Sequence, residues 1–193
     1  MAAKKAIVFL ADGTEEMEFT ITVDVLRRAK IDVTVVGVKL KNPPAATCSR
    51  GVKIVPDVEL NQSLIADNYD AVIAPGGMGG ALTLRDDKDV QQLVASFYEK
   101  KKIVAFICAA PIVAKSSGIP GSHKVTSYPS VKDQLKDYFQ YTEDRVVVDK
   151  NVITSRGPGT AFLFALTLVE ELLGKDVADN LNLRGEMLTA DEL

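Results

Sequence analysis

Histidine is almost missing from these 193 residues, and tryptophan is missing altogether: His123 is the only imidazole. One histidine is too few for the cysteine–histidine ligand sets of structural zinc, so no metal is expected. Cysteine is scarce as well. Cys48 and Cys108 are the only two, which excludes the disulfide framework of a small secreted module, and a chain of this length buries enough core to need no such staple. Positive charge is not in excess either. A net charge of −3 gives no broad attraction to nucleic acid or to an anionic membrane, so neither sequence-specific nucleic-acid binding nor a membrane partner is expected. No apolar run approaches the length that spans a bilayer.

The N-terminal "AIVFLA" is too short for a signal peptide and leads straight into "DGTEE", so it reads as a first strand. With no entry to the secretory path, two later signals carry no weight. One is the sequon at Asn61–Ser63, and the other is the terminal "ADEL", which is similar to an endoplasmic-reticulum retention tail. The expected setting is reducing and cytoplasmic, with nucleus and mitochondrion left open.

What is present is ordinary globular chemistry, 47% apolar and 25% charged, which sets disorder aside. Short β-branched runs alternate with longer helical patterns. Ala6–Leu10, Val33–Val38, "YDAVIAPGG", which stops at Pro75, and "KIVAFIC" read as strands. A helix from about Glu15 to Ala29 carries Phe19, Val23, Leu26 and Ala29 at helical spacing. Because the strands are continuously apolar rather than alternating, both of their faces are covered, as in a parallel sheet. Later, "RVVVDKNVITSRG" holds a turn at Asp149–Asn151 between two apolar runs, a hairpin-like addition. An apolar helix from Thr160 to Leu173 ends at Gly174, and the proline-rich Lys39–Gly51 is a loop. The expectation is a single α/β domain over residues 1–193: a doubly wound, mostly parallel, flavodoxin-like sheet sandwiched between helices.

In such a fold ligands bind beyond the carboxyl ends of the strands. Four loops leave those ends: "ADGTEEME", "APGGMGG", "CAAP" and "SRGPGT". Cys108 ends a buried strand and is followed by Ala109, Ala110 and Pro111, small residues and a helix-starting proline that allow a sharp strand-to-helix turn. A helix N-terminus beside it favours a thiolate; the alternative is an inert buried cysteine. Glu15, Glu16 and Glu18 fall within four residues and so point in different directions. A carboxyl group desolvated beside a thiolate would have its pKa raised and could move protons. Glycines after a buried strand let backbone N–H groups face a site, so Gly77 and Ala109 are candidate oxyanion donors. "PGGMGG" lacks the lysine of a phosphate loop and the spacing of a dinucleotide fingerprint, so no cofactor is expected. His123, in "GIPGSHKVTS", reads as a solvated loop residue. Arg28, Arg50 and Arg156 are the cationic candidates for an anion pocket.

Seven stretches, "GTEEMEF", "VDVLRRA", "CSRGV", "APGG", "ICAAP", "VTSYPSVK" and "ITSRGPGTAF", follow one another from near the start to beyond residue 160. In that order they resemble the ThiJ/PfpI superfamily, and within it the eukaryotic clade of the parkinsonism-associated deglycase. The resemblance implies that Cys108 is the reactive thiol and Glu18 the carboxyl group against its sulfur, with Gly77 and Ala109 supplying backbone donors. It further implies a pocket edged by Gly76, Arg50, Arg28, Tyr128, Gly157 and Pro158, and a homodimer. The implied activity is that of a glutathione-independent glyoxalase of the D-lactate dehydratase type, acting on small 2-oxoaldehydes, or of a deglycase acting on glycated proteins. The alternative is a peroxide-responsive sensor or chaperone. Two departures bear on this. Ala109 follows the cysteine where protease-like members have histidine, and Tyr128 stands where many clade members have another. Tyrosine is a poor base at neutral pH, so peptidase activity is not expected.

Overall fold

The computed structural model describes residues 3–181 and 183; the terminal "ADEL", 190–193, lies outside them. From the N-terminus the chain forms β1 (Lys5–Leu10), α1 (Glu16–Arg28), β2 (Asp32–Gly37), β3 (Ala46–Thr47), β4 (Lys53–Ile54) and β5 (Val58–Glu59). There follow β6 (Ala71–Ala74), α2 (Met78–Asp86), α3 (Lys88–Glu99), β7 (Ile103–Ile107), α4 (Pro111–Ser116) and β8 (Lys124–Val125). The last third holds α5 (Lys132–Leu135), β9 (Gln140–Tyr141), β10 (Val146–Asp149), β11 (Val152–Ser155), α6 (Ala161–Leu173) and α7 (Lys175–Asn180).

Seven strands make one sheet in the order β10-β11-β7-β6-β1-β2-β5, parallel except for β10, which returns antiparallel on β11. All of β6 and β11, and β1 beyond Lys5, are buried, which is the burial that continuous apolar runs demand when helices cover both faces. From β1 the chain steps one way to β2, and from β6 the other way to β7. Right-handed crossovers that step in opposite directions put their helices on opposite faces. Accordingly α1 packs with α6, and α6 with α7, while α2, α3 and α4 pack together. The reversal falls between β1 and β6, so the crevice above their carboxyl ends is where a ligand site belongs.

The sequence-derived helix and strand ranges agree with these elements to within a residue or two. The Lys39–Gly51 loop contains one short strand, β3, which pairs with β4 to form a small hairpin. Among the described residues no helix is long and apolar enough to cross a membrane.

Candidate active site

β7 ends at Ile107, and Cys108 follows with a φ of 64°. Four lysines share a positive φ, all exposed; Cys108 is the one buried non-glycine residue among those described that does so. The left-handed region costs an L-residue roughly 1–2 kcal/mol, so the turn must be held from outside. Cys108 N–H donates to Ser155 O (3.0 Å), extending the β7–β11 ladder, and its carbonyl accepts from Tyr128 N–H (2.9 Å). Ala110 N–H closes back on Ile107 O (3.0 Å), and Pro111 starts α4. The sulfur is thereby held over the sheet edge.

The carboxylates at the start of α1 take three separate tasks. Glu15 caps the helix, its Oε2 accepting from Glu18 N–H (2.7 Å). Glu16 Oε2 accepts from Ser49 Oγ and Oε1 from Arg50 N–H, both at 2.7 Å, which ties the "CSRG" turn to the helix. Glu18 turns inward and is fully buried. Its Oε2 accepts from Gly76 N–H (2.8 Å), while Oε1 is buried without a hydrogen-bond partner. A Cβ at Gly76 would stand 2.5 Å from both Cys108 Cβ and Glu18 Oε2, so only glycine lets carboxyl and thiol approach. Gly77, at φ 80°, is similarly confined: a Cβ there would meet Gly13 O at 2.2 Å.

Burial pushes the Glu18 carboxyl up to about 7, against the pull of the Cys108 thiol and the Gly76 N–H, with the charge of Glu15 adding to the rise. The Cys108 thiol is also pushed up, first by burial, then by the charge and hydrogen bonding of Glu18, while the Gly77 and Ala109 N–H groups act to lower it. This corrects the expectation of a thiol held low by the helix that follows. α4 is only six residues long, and the nearest charge is negative. The pair thus holds two protons below about pH 7 and one above it. With that proton on Glu18, both of the carboxyl group's raising influences on the thiol vanish, leaving burial opposed by the two N–H donors. A thiolate, an acid with a free oxygen and two N–H donors can add to a carbonyl, hold the resulting oxyanion and move a proton.

Above the sulfur opens a hollow of about 370 Å³, lined by Gly77, Ala109, Arg50, Tyr128 and Pro158 together with Cys108 and Glu18. Gly76 lies behind the sulfur, and Gly157 backs the Tyr128 ring, its Cβ position 3.2 Å from Tyr128 Cδ2. Arg28 is not brought to this hollow. It lies ten residues beyond Glu18 on α1, about 15 Å along the axis, and its Nε bonds Asp24 (2.6 Å) at the surface. Arg156 is not among the lining residues, whereas Met17, Ser49, Met78 and Ser130 are. Sequence reasoning passed over those four. Ser49 had a signal in "CSRG"; a methionine on a helix start or a serine in a turn has none. Both cysteines are free, and no cluster among the described residues could hold a metal ion.

His123 is likewise not the solvated loop residue expected. It is 2% exposed, with Nδ1 3.0 Å from Asp149 Oδ2 and Nε2 2.9 Å from the Tyr98 hydroxyl. Asp149 also accepts from Lys124 N–H (2.8 Å). Burial alone would raise the Asp149 carboxyl, but the Lys124 N–H and His123 outweigh it and hold it below its ordinary value. An ionised Asp149 only accepts, so Nδ1 carries a proton, and the Tyr98 hydroxyl can donate to or accept from Nε2. The imidazole therefore joins α3, β8 and β10 and is spent on structure. His123→Ala should lower the unfolding free energy by about 2–4 kcal/mol through buried partners left unpaired. Urea denaturation checks this, and a loss under about 1 kcal/mol would show the network to be dispensable.

The chain is 48% identical to protein dj-1beta of Drosophila melanogaster over 175 residues, covering 90% of this chain and 92% of that one. It is 39% identical over 178 residues to a Schizosaccharomyces pombe protein named glutathione-independent glyoxalase DJ-1, covering 89% and 93%. The crystal structure of Drosophila melanogaster DJ-1beta superposes with a TM-score of 0.89 at 44% identity, covering 97% of this chain and all of that one. Residues 4–171 match the model of the DJ-1/PfpI family, and the chain belongs to that family.

Proposed function

We propose that this protein is a glutathione-independent glyoxalase that converts methylglyoxal or glyoxal to the hydroxy acid, with Cys108 as nucleophile and Glu18 as proton carrier. The observation that carries this reading is the unpartnered Glu18 Oε1, buried beside a thiol that faces two backbone donors. A buried acceptor left unpaired is costly, and a proton in transit is what this one is free to take. The thiolate adds to the aldehyde carbon, and the N–H groups of Gly77 and Ala109 hold the oxyanion until Glu18 protonates it. Glu18 then carries the proton from C1 to C2, and water releases lactate from the thioester. The same thiol can attack an early aldehyde adduct on a protein, which makes deglycase activity the companion reaction. Peptidase chemistry lacks its imidazole, since Ala109 and Tyr128 flank the thiol and His123 is bound elsewhere. The name of the Schizosaccharomyces pombe relative supports the glyoxalase assignment.

The working form in this proposal is a cytoplasmic homodimer. Exposed Met17, Val52 and Val55 support it: the Glu16–Ser49 bond ties the first turn of α1 to the turn before β4, Val52 and Val55 flank that strand, and Met17 lines the pocket. Sedimentation at twice the single-chain mass checks it.

The direct test of the activity is chiral lactate analysis of reduced, pure protein incubated with methylglyoxal and no glutathione. D-Lactate is the expected product, and prior alkylation with iodoacetamide should suppress it; no lactate from a fully reduced thiol overturns the reading. A peroxide sensor is the second reading, favoured by the same two N–H donors and protonated carboxyl, which would also hold a sulfinate. A stable gain of two oxygens confined to Cys108 after mild peroxide, without lactate formation, would select it.

A further inference from the structure

We propose that the preferred substrates are 2-oxoaldehydes bearing a flat aromatic group, phenylglyoxal being the simplest, and that Tyr128 is the residue that selects them. This rests on the glyoxalase reading above and names its substrate class. The hollow over the sulfur encloses about 370 Å³. A three-carbon dicarbonyl has the bulk of a few waters at roughly 30 Å³ each, so most of that space faces no part of methylglyoxal. Polar groups for the reaction are gathered at the floor: the Cys108 sulfur, the Glu18 carboxyl group and the two N–H groups. The wall is different. Beside the polar Arg50, Ser49, Ser130 and Glu15 it carries the apolar Tyr128, Met78, Met17 and Pro158, and Tyr128 and Met78 are 46% and 41% exposed in the chain.

Tyr128 is also fixed in direction. Its N–H bonds the carbonyl of Cys108, the residue that bears the reacting sulfur, and its ring rests against Gly157. A ring braced against Gly157 and still 46% exposed can serve as a stacking platform, because aromatic pairs favour offset or edge-to-face contact. Met78 adds a thioether, which adapts to a ring edge. Neither side chain offers a charge or a base, so these two contact the substituent rather than the dicarbonyl.

The chemistry balances without a cofactor. Cys108 sulfur bonds to the aldehyde carbon of phenylglyoxal, and the carbonyl electron pair moves to oxygen, which takes the proton of Glu18. The Glu18 carboxylate then removes the C1 hydrogen as a proton and returns it to C2, while the hydroxyl proton passes from the C1 oxygen to the C2 oxygen. C1 is thereby oxidised to a thioester as C2 is reduced to an alcohol. Water cleaves the thioester, restoring the thiol and releasing mandelate. Aldehyde and water together equal the product.

The test is kcat/KM for phenylglyoxal and for methylglyoxal in wild type, Tyr128→Ala and Tyr128→Phe. Product acid is followed rather than aldehyde loss, because phenylglyoxal also condenses with guanidinium groups. Wild type should favour phenylglyoxal by about tenfold, the worth of one good aromatic contact. Tyr128→Ala should cut that ratio about tenfold, the loss lying in KM, and Tyr128→Phe should keep it. A wild-type ratio of one or less, or a ratio unmoved by Tyr128→Ala, overturns the proposal while leaving the glyoxalase reading intact. Cys108-dependent turnover of neither aldehyde overturns both.

Discussion

Under the proposed mechanism Cys108→Ala is expected to lower methylglyoxal turnover by at least about 10³-fold, because no other group near the pocket can make the carbon–sulfur bond on which every later step depends. Cys48 cannot stand in. It is buried, and burial followed by the charges of Glu16, Asp12 and Glu15 pushes its thiol up to about 11. Unlike the Cys108 sulfur, it has no backbone donors acting to lower it. The variant should fold as wild type does. Alanine at position 108 adopts the same left-handed backbone at a similar cost, and the ties to Ser155 O and from Tyr128 N–H are main-chain bonds that a side-chain change leaves in place. A stability change within about 1 kcal/mol is expected. Steady-state kinetics beside urea unfolding separate the two effects. Turnover within tenfold of wild type from a folded Cys108→Ala protein would remove the thiol from the mechanism.

The fold was legible because its signals are local and repeated. Continuous apolar strands such as Ala6–Leu10 mark a sheet covered on both faces, and Pro111 and Gly174 bound their helices. The four loops at the strand ends were legible for the same reason, since the position of a site in an open α/β sheet follows from topology alone. Other features depend on contacts between residues far apart in sequence. His123 sits in a polar stretch, and nothing local announces that Asp149 and Tyr98, each about 25 positions away, close around it. Arg28 shares a helix with Glu18, and the rise of that helix carries it away from the pocket. The thiol's electrostatics could not be read from a helix start alone either. A short helix contributes little beside a buried carboxylate, and only the folded chain reveals that Glu18 is fully enclosed.

That enclosure gives Glu18→Gln two effects of opposite sign. On activity, glutamine keeps the shape but cannot carry a proton, so kcat/KM should fall about 10²–10⁴-fold. The pH profile should change with it. In wild type the reactive pair holds one proton, and the second proton is lost with the Glu18 pKa of about 7. Wild-type kcat/KM should therefore drop tenfold per pH unit below about pH 7, whereas the Glu18→Gln profile should lose the break near pH 7 and follow the ionisation of the Cys108 thiol alone. On stability the sign reverses. The folded pKa of Glu18 is raised from 4.5 to about 7, so the native state binds this proton more tightly than the unfolded chain does. The stability linked to it is complete below pH 4.5 and is lost as pH rises through about 7, a difference of about 3 kcal/mol. Glutamine carries no charge to desolvate and escapes the loss. Glu18→Gln should match wild type in urea unfolding near pH 5 and exceed it by about 3 kcal/mol near pH 8. A variant that is less stable at both pH values would mean that Glu18 is charged and well solvated in the native protein. Proton transfer through Glu18 Oε1 would then lose its physical basis.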